Sequence, residues 1–62
     1  MKVGDLVGKK GTWTDERGLE LKGIVVRSGK DGYSSKFVEV LSSDGEIELS
    51  LKENLEVIYY GN

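Results

Sequence analysis

The sequence predicts one small all-β domain of five short strands, and three observations carry that expectation. Nine glycines and no proline punctuate short apolar runs, the pattern of strands separated by turns. No window sustains apolar residues at i, i+3, i+4 and i+7, so no long helix is expected. Ser43-Asp44-Gly45-Glu46 sets an Asp-Gly pair between two β runs, the strongest short-range hairpin signal.

Val3 to Val7 reads as the first strand. A long polar loop from Gly8 to Gly18 follows, carrying Lys9, Lys10, Trp13, Asp15, Glu16 and Arg17. Leu19 to Arg27 reads as the second strand, with Gly23 as a bend or bulge. Ser28 to Ser35 is a loop of Gly, Ser and Asp, and Lys36 to Ser43 is the third strand.

With Asp44 and Gly45 as a two-residue type I′ loop, both with φ > 0, the pairing follows by counting outward. Ser42 then faces Ile47, Val40 faces Leu49 and Val38 faces Leu51, mostly apolar pairs on one face. Leu41 with Glu48 and Glu39 with Ser50 occupy the other. Ser50-Leu51-Lys52-Glu53 fits a capping box, too short for more than one helical turn, Leu51 to Asn54. Leu55 to Tyr59 closes the chain as the last strand. The expected core is Val3, Leu6 or Val7, Leu21, Val25, Val38, Val40, Ile47, Leu49, Leu51, Leu55 and Val57. Ile24 and Val26 replace Val25 if Gly23 carries a bulge.

Strand, long loop, strand, loop, strand, tight turn, strand, helical turn, strand is the layout of a Src-homology-3-like (SH3-like) barrel. Sixty-two residues allow one domain, 1–62. A chain this short buries only about 60% of the surface its unfolded form exposes. Disulfides or a metal commonly compensate, but the chain has neither Cys nor His. Stability must come from apolar packing and a nearly closed sheet, with oligomerisation as a further source.

Val3-Gly4-Asp5-Leu6-Val7, Gly23-Ile24-Val25-Val26, Val38-Glu39-Val40-Leu41-Ser42-Ser43-Asp44-Gly45 and Leu55-Glu56-Val57-Ile58 together resemble the short SH3-like proteins of tailed bacteriophages, including those of marine cyanobacteria. The resemblance covers nearly the whole chain. Its motifs recur in KOW, Tudor and other SH3-like modules, so it implies a fold and a phage origin but no activity. Members often carry an aromatic just before the Ser-Asp-Gly turn, where this chain has Ser42.

Composition bounds the function. Without His or Cys the usual nucleophile–base pairs are missing, and alternating Glu39, Glu46 and Glu48 read as a solvated strand face. No enzymatic activity and no cofactor are expected. Asp15-Glu16 and Asp31 match no spaced metal-ligand pattern. The net charge of −2 and pI near 5.0 oppose the basic footprint of a nucleic-acid module. The runner-up reading is nonetheless weak, non-sequence-specific, KOW-like nucleic-acid binding. In it Lys9, Lys10, Arg27, Lys30 and Lys36 meet phosphate while Trp13 stacks a base; alternatively, Trp13 folds over the barrel end. A Tudor-like cage for a methylated cation needs Trp13, Tyr33, Tyr59 and Tyr60 to converge.

The leading expectation is a non-catalytic binding or structural module, a phage accessory or assembly protein that contacts another protein or itself. Phe37 and Leu41 fall opposite the expected core, beside Glu39 and Glu48, and Tyr59 and Tyr60 end the last strand. Exposed large apolar groups on so thin a core mark a covered surface, and a homodimer centred on Phe37 and Leu41 follows from the same count. The start of the chain lacks the apolar run of a signal peptide. No stretch approaches the ~20 apolar residues of a membrane span, and a soluble, cytoplasmic protein is expected.

Overall fold

The computed structural model describes residues 1–29 and 35–61. Expectations that fall on Lys30, Asp31 and Tyr33 therefore lie outside the described residues. The fold is all-β: β1 (Leu6–Lys9), β2 (Gly23–Ser28), β3 (Phe37–Ser42), β4 (Ile47–Leu51), a 3-10 turn (Lys52–Asn54) and β5 (Leu55–Tyr59). The strands form one antiparallel sheet in the order β4-β3-β2-β1-β5. This is the five-stranded SH3-like barrel with one short helical turn before the last strand.

β1 starts at Leu6, three residues later than the sequence suggests, because the chain turns at Val3-Gly4. Asp5 holds that turn. Its carboxylate accepts the backbone N–H groups of Lys2 (2.8 Å) and Gly61 (3.1 Å), while its carbonyl accepts the Val25 N–H (3.0 Å). Asp5 is buried and clasps both ends of the chain to β2. The Lys2 N–H lowers its carboxyl below the ordinary value against the opposing effect of burial, and the Gly61 N–H and the nearby amino groups add to the lowering. Val3, expected in the core, is half exposed as a result.

The long first loop is itself a hairpin. Leu21 N–H bonds the Trp13 carbonyl (2.8 Å), Thr14 bridges Glu20, and the Asp15 carboxylate caps the tip by accepting the Arg17 and Leu19 N–H groups (2.8 and 3.0 Å). Leu19 and Glu20 therefore belong to this loop, and β2 begins only at Gly23. The expected bulge at Gly23 lies instead at Val26, where the β2–β3 register shifts between Val25 and Arg27. Gly23 is buried for another reason: a Cβ there would overlap the Val40 side chain and press on Trp13. The glycine admits a close approach.

The β3–β4 hairpin differs most from the sequence expectation. Only Gly45 has φ > 0 (90°); Asp44 does not. A type I′ turn needs both. The loop instead holds three residues, Ser43-Asp44-Gly45, closed by Gly45 N–H to Ser42 O (2.9 Å) and Ser42 N–H to Glu46 O (2.8 Å). A three-residue loop with one left-handed glycine is the next commonest hairpin connection. Side chains favour it here. The Asp44 carboxylate accepts the Ser42 hydroxyl and the Glu46 N–H, and the hydroxyl also lies 3.1 Å from Glu46 O. These contacts, the Ser42 hydroxyl foremost, hold the Asp44 carboxyl below its ordinary value.

One extra loop residue slips the register by one. Val40 faces Glu48 rather than Leu49, and Val38 faces Ser50 rather than Leu51. A one-residue slip turns every side chain of the strand over. Ile47 and Leu49, expected in the core, are 62% and 65% exposed, and Leu51 is only partly covered. Glu48, expected on the solvated face, turns inward with Ser50. The capping box also fails, because Leu51 occupies the N-cap without a side-chain bond and the Ser50 hydroxyl donates to Glu48 (3.1 Å).

The core that remains is Val7, Val25, Val38, Val40 and Leu55, with Met1, Trp13 and Val57 packed against it and Leu21 buried nearby. Valines suit it because a β-branched side chain fills a pleated inner face in few rotamers.

Candidate functional site

The outer face of β2, β3 and β4 gathers the exposed apolar side chains. Strand alternation sends Val38, Val40 and Ser42 inward, and Phe37, Glu39 and Leu41 outward. The observed register then aligns Ile24 with Leu41, and Leu41 with Ile47. Leu49 follows on the same side of β4, opposite Glu39. Ile24, Leu41, Ile47 and Leu49 are each about 40% to 65% exposed and form a contiguous band across three strands.

The predicted contact residues Phe37 and Leu41 do lie on this outer face. Phe37 is half-buried at its end, beside a groove that Arg27, Glu39 and Leu49 also line. Arg27 and Glu39, cross-strand neighbours, approach to 3.5 Å. This exposed pair is worth little to stability but places both signs of charge beside the band. Tyr59 and Tyr60 are exposed at the opposite side of the sheet, where Tyr59 pairs with Leu6. They do not join the band.

Ile47 and Leu49 were missed as surface residues because the sequence count assumed the shorter loop. The signal that could have found them is Ser42. A small hydroxyl residue before Ser-Asp-Gly can bond the turn itself and so favours the three-residue closure.

The nucleic-acid candidates are distributed differently. The Lys9 ammonium makes an ion pair with Glu48 (2.9 Å) and sits 4.8 Å from the Trp13 ring centroid. Its charge is thus partly neutralised within the chain, and it occupies one face of the ring a base would need. Trp13 is half-buried against the core and lies over Gly23, so it covers the barrel end. The cleft beside it carries Glu20 and Glu56, which repel phosphate. Lys10 and Lys36 are exposed, at the end of β1 and the start of β3. Arg27 is paired with Glu39 across the sheet. Lys9 and Lys10 line one groove and Lys36 another, and both grooves border Phe37.

With its ring held against the core and by Lys9, Trp13 is also poorly disposed to join a cage with Tyr59 and Tyr60. Asp15 spends its carboxylate on its own turn, and among the described residues no cluster of three or more acidic side chains is arranged to hold a metal ion. Among the same residues no helix is long and apolar enough to cross a membrane. No family model matches the chain, and neither a curated protein nor a solved structure shows significant similarity to it.

Proposed function

We propose that this chain is a non-catalytic binding or structural module whose working surface is the outer face of β2, β3 and β4, and that its partner is protein. The observation that carries the reading is the exposure of Ile47 and Leu49 on a domain with only a thin core. Burying such a side chain is worth roughly 1.5–3 kcal/mol, a large fraction of the stability of a domain this small. The hairpin forgoes that gain twice in adjacent outward positions. A contact surface explains an apolar band that the fold itself leaves uncovered. The sequence resemblance supports a phage accessory or assembly role in the host cytoplasm, and the absence of His and Cys supports a non-enzymatic one.

The neutralised Lys9 and the acidic cleft beside Trp13 leave nucleic acid with weak, salt-sensitive and sequence-independent contacts. A photo-crosslinking residue at position 49, with position 20 as control, tests the reading in cells that produce the protein. Protein adducts formed at 49 and not at 20 support it. Nuclease-sensitive adducts, or equal labelling from both positions, overturn it.

A further inference from the structure

We propose that a second copy of the chain joins at the edge of this surface, by antiparallel pairing of β4 with β4 about a twofold axis at Leu49, which sets the two apolar bands side by side. The inference rests on the protein-contact reading above and specifies its geometry. β4 is a terminal strand of the sheet, and among the described residues no strand pairs with its outer edge. Glu48, Leu49, Ser50 and Leu51 line a groove together with Lys9, Lys10, Thr12, Phe37 and Asn54. Because Ser42 and Glu46 form a hydrogen-bonded pair, the alternation of an antiparallel ladder aims the peptide groups of Glu48 and Ser50 at β3. It aims those of Ile47 and Leu49 outward. The residues with exposed apolar side chains are thus the ones whose backbone groups await a partner.

The register is determined by charge and alternation. A twofold axis normal to the sheet keeps outer faces together, so residues of the same alternation pair. Centring on Leu49 sets Leu49 against its own copy, Ile47 against Leu51 of the second copy, and Glu46 against Lys52. Centring on Glu48 brings two carboxylates together at the axis, and centring on Ser50 sets Ile47 against Glu53. The Ser50-centred register also sets Leu49 against Leu51 and Glu48 against Lys52, so only the Leu49-centred register leaves no apolar side chain opposite a charge and no like charges at the axis. Glu48, an inward charge of the kind that discourages edge pairing, is already neutralised by Lys9 and bonded by Ser50. It falls opposite Ser50 of the second copy. The contact centre therefore moves from Phe37 and Leu41 to β4, with Leu41 at its flank.

Sedimentation equilibrium from low to several hundred micromolar tests this. Wild type is expected to dimerise, and Leu49→Lys to weaken the dimer at least about tenfold by placing two ammonium groups at the axis. Lys52→Glu and Glu46→Lys are each expected to weaken it about fivefold, since each disrupts two symmetry-related exposed ion pairs. The double reversal is expected to restore it. Within one chain Glu46 and Lys52 stand roughly 20 Å apart along the strand, beyond the screening length of about 8 Å, so restoration reports contact between chains. Glu46→Lys also removes the net charge of −2, so weakening by that variant is not a general charge effect. Circular dichroism checks that each variant is folded. A wild type that stays monomeric overturns the self-pairing, and the adducts at position 49 then still decide the wider reading. A dimer that Leu49→Lys leaves intact, or that the double reversal does not restore, overturns the register.

Discussion

Replacing Ile47 and Leu49 together with Thr separates the observed register from its alternative. Thr keeps β propensity, so the substitution reports mainly burial. At 62% and 65% exposure, each side chain has only about a third of its surface covered. A third of the roughly 1.5–3 kcal/mol for full burial is about 0.5–1 kcal/mol each, or about 1–2 kcal/mol for the pair as an upper bound. In a domain of this size each kcal/mol moves the melting temperature by about 4–8 °C. A fall of about 4–16 °C at most is therefore expected, measured by circular dichroism at low micromolar concentration so that association contributes little. In the register with a two-residue loop both residues are core. Truncating two core aliphatics costs about 2–5 kcal/mol each, comparable with the whole stability of a small domain. Val40→Ala, at a fully buried position, is the control and is expected to cost more than either exposed substitution. A double variant that is unfolded at room temperature would refute the observed register and the contact face built on it.

The remaining predictions concern the clasp, the turn and the close approach beneath Trp13. Asp5→Asn should lower the urea midpoint at pH 7, because one amide oxygen replaces two carboxylate oxygens that accept the Lys2 and Gly61 N–H groups; an unchanged midpoint would remove the clasp from the account. The folded Asp5 and Asp44 carboxyls bind protons less tightly than in the unfolded chain, so stability rises with pH through that window. Their contribution is present above the ordinary value of 3.8 and is lost as pH falls through the lower folded values, so the wild-type midpoint should drop below about pH 4 and Asp5→Asn should flatten that drop. Asp44→Gly should destabilise, since the observed loop uses the carboxylate, whereas a type I′ loop would tolerate or welcome a second glycine; Gly45→Val should destabilise in either loop by at least about 1–2 kcal/mol. Gly23→Ala should cost about 1–3 kcal/mol by overpacking against Val40, and a melting temperature equal to wild type would contradict the contact.

The order of elements was legible because it depends on local signals. Gly-rich breaks, apolar runs and the short turn at Lys52–Asn54 set five strands in one sequence, and β5 and the third strand fall where the pattern puts them. The valine core of β2 and β3 was legible for the same reason: alternation within a strand needs only one correct inward residue. The candidate site was legible by half. Phe37 and Leu41 lie outward as the count required. Ile47 and Leu49 do not follow from it, because their face depends on whether a loop has two residues or three.

By itself the sequence determined the fold class and the strand order along the chain, both consequences of composition and local periodicity. Tertiary structure decided which face of β4 is buried, because Asp44 prefers bonding Ser42 and Glu46 to a left-handed conformation, and a period of two turns one inserted residue into a complete reversal. It also decided that Lys9 meets Glu48 and Trp13, and that Asp5 joins the backbone at Lys2 to that at Gly61. Those partners are up to 56 residues apart, and no local pattern encodes a contact that only the closed sheet brings within reach.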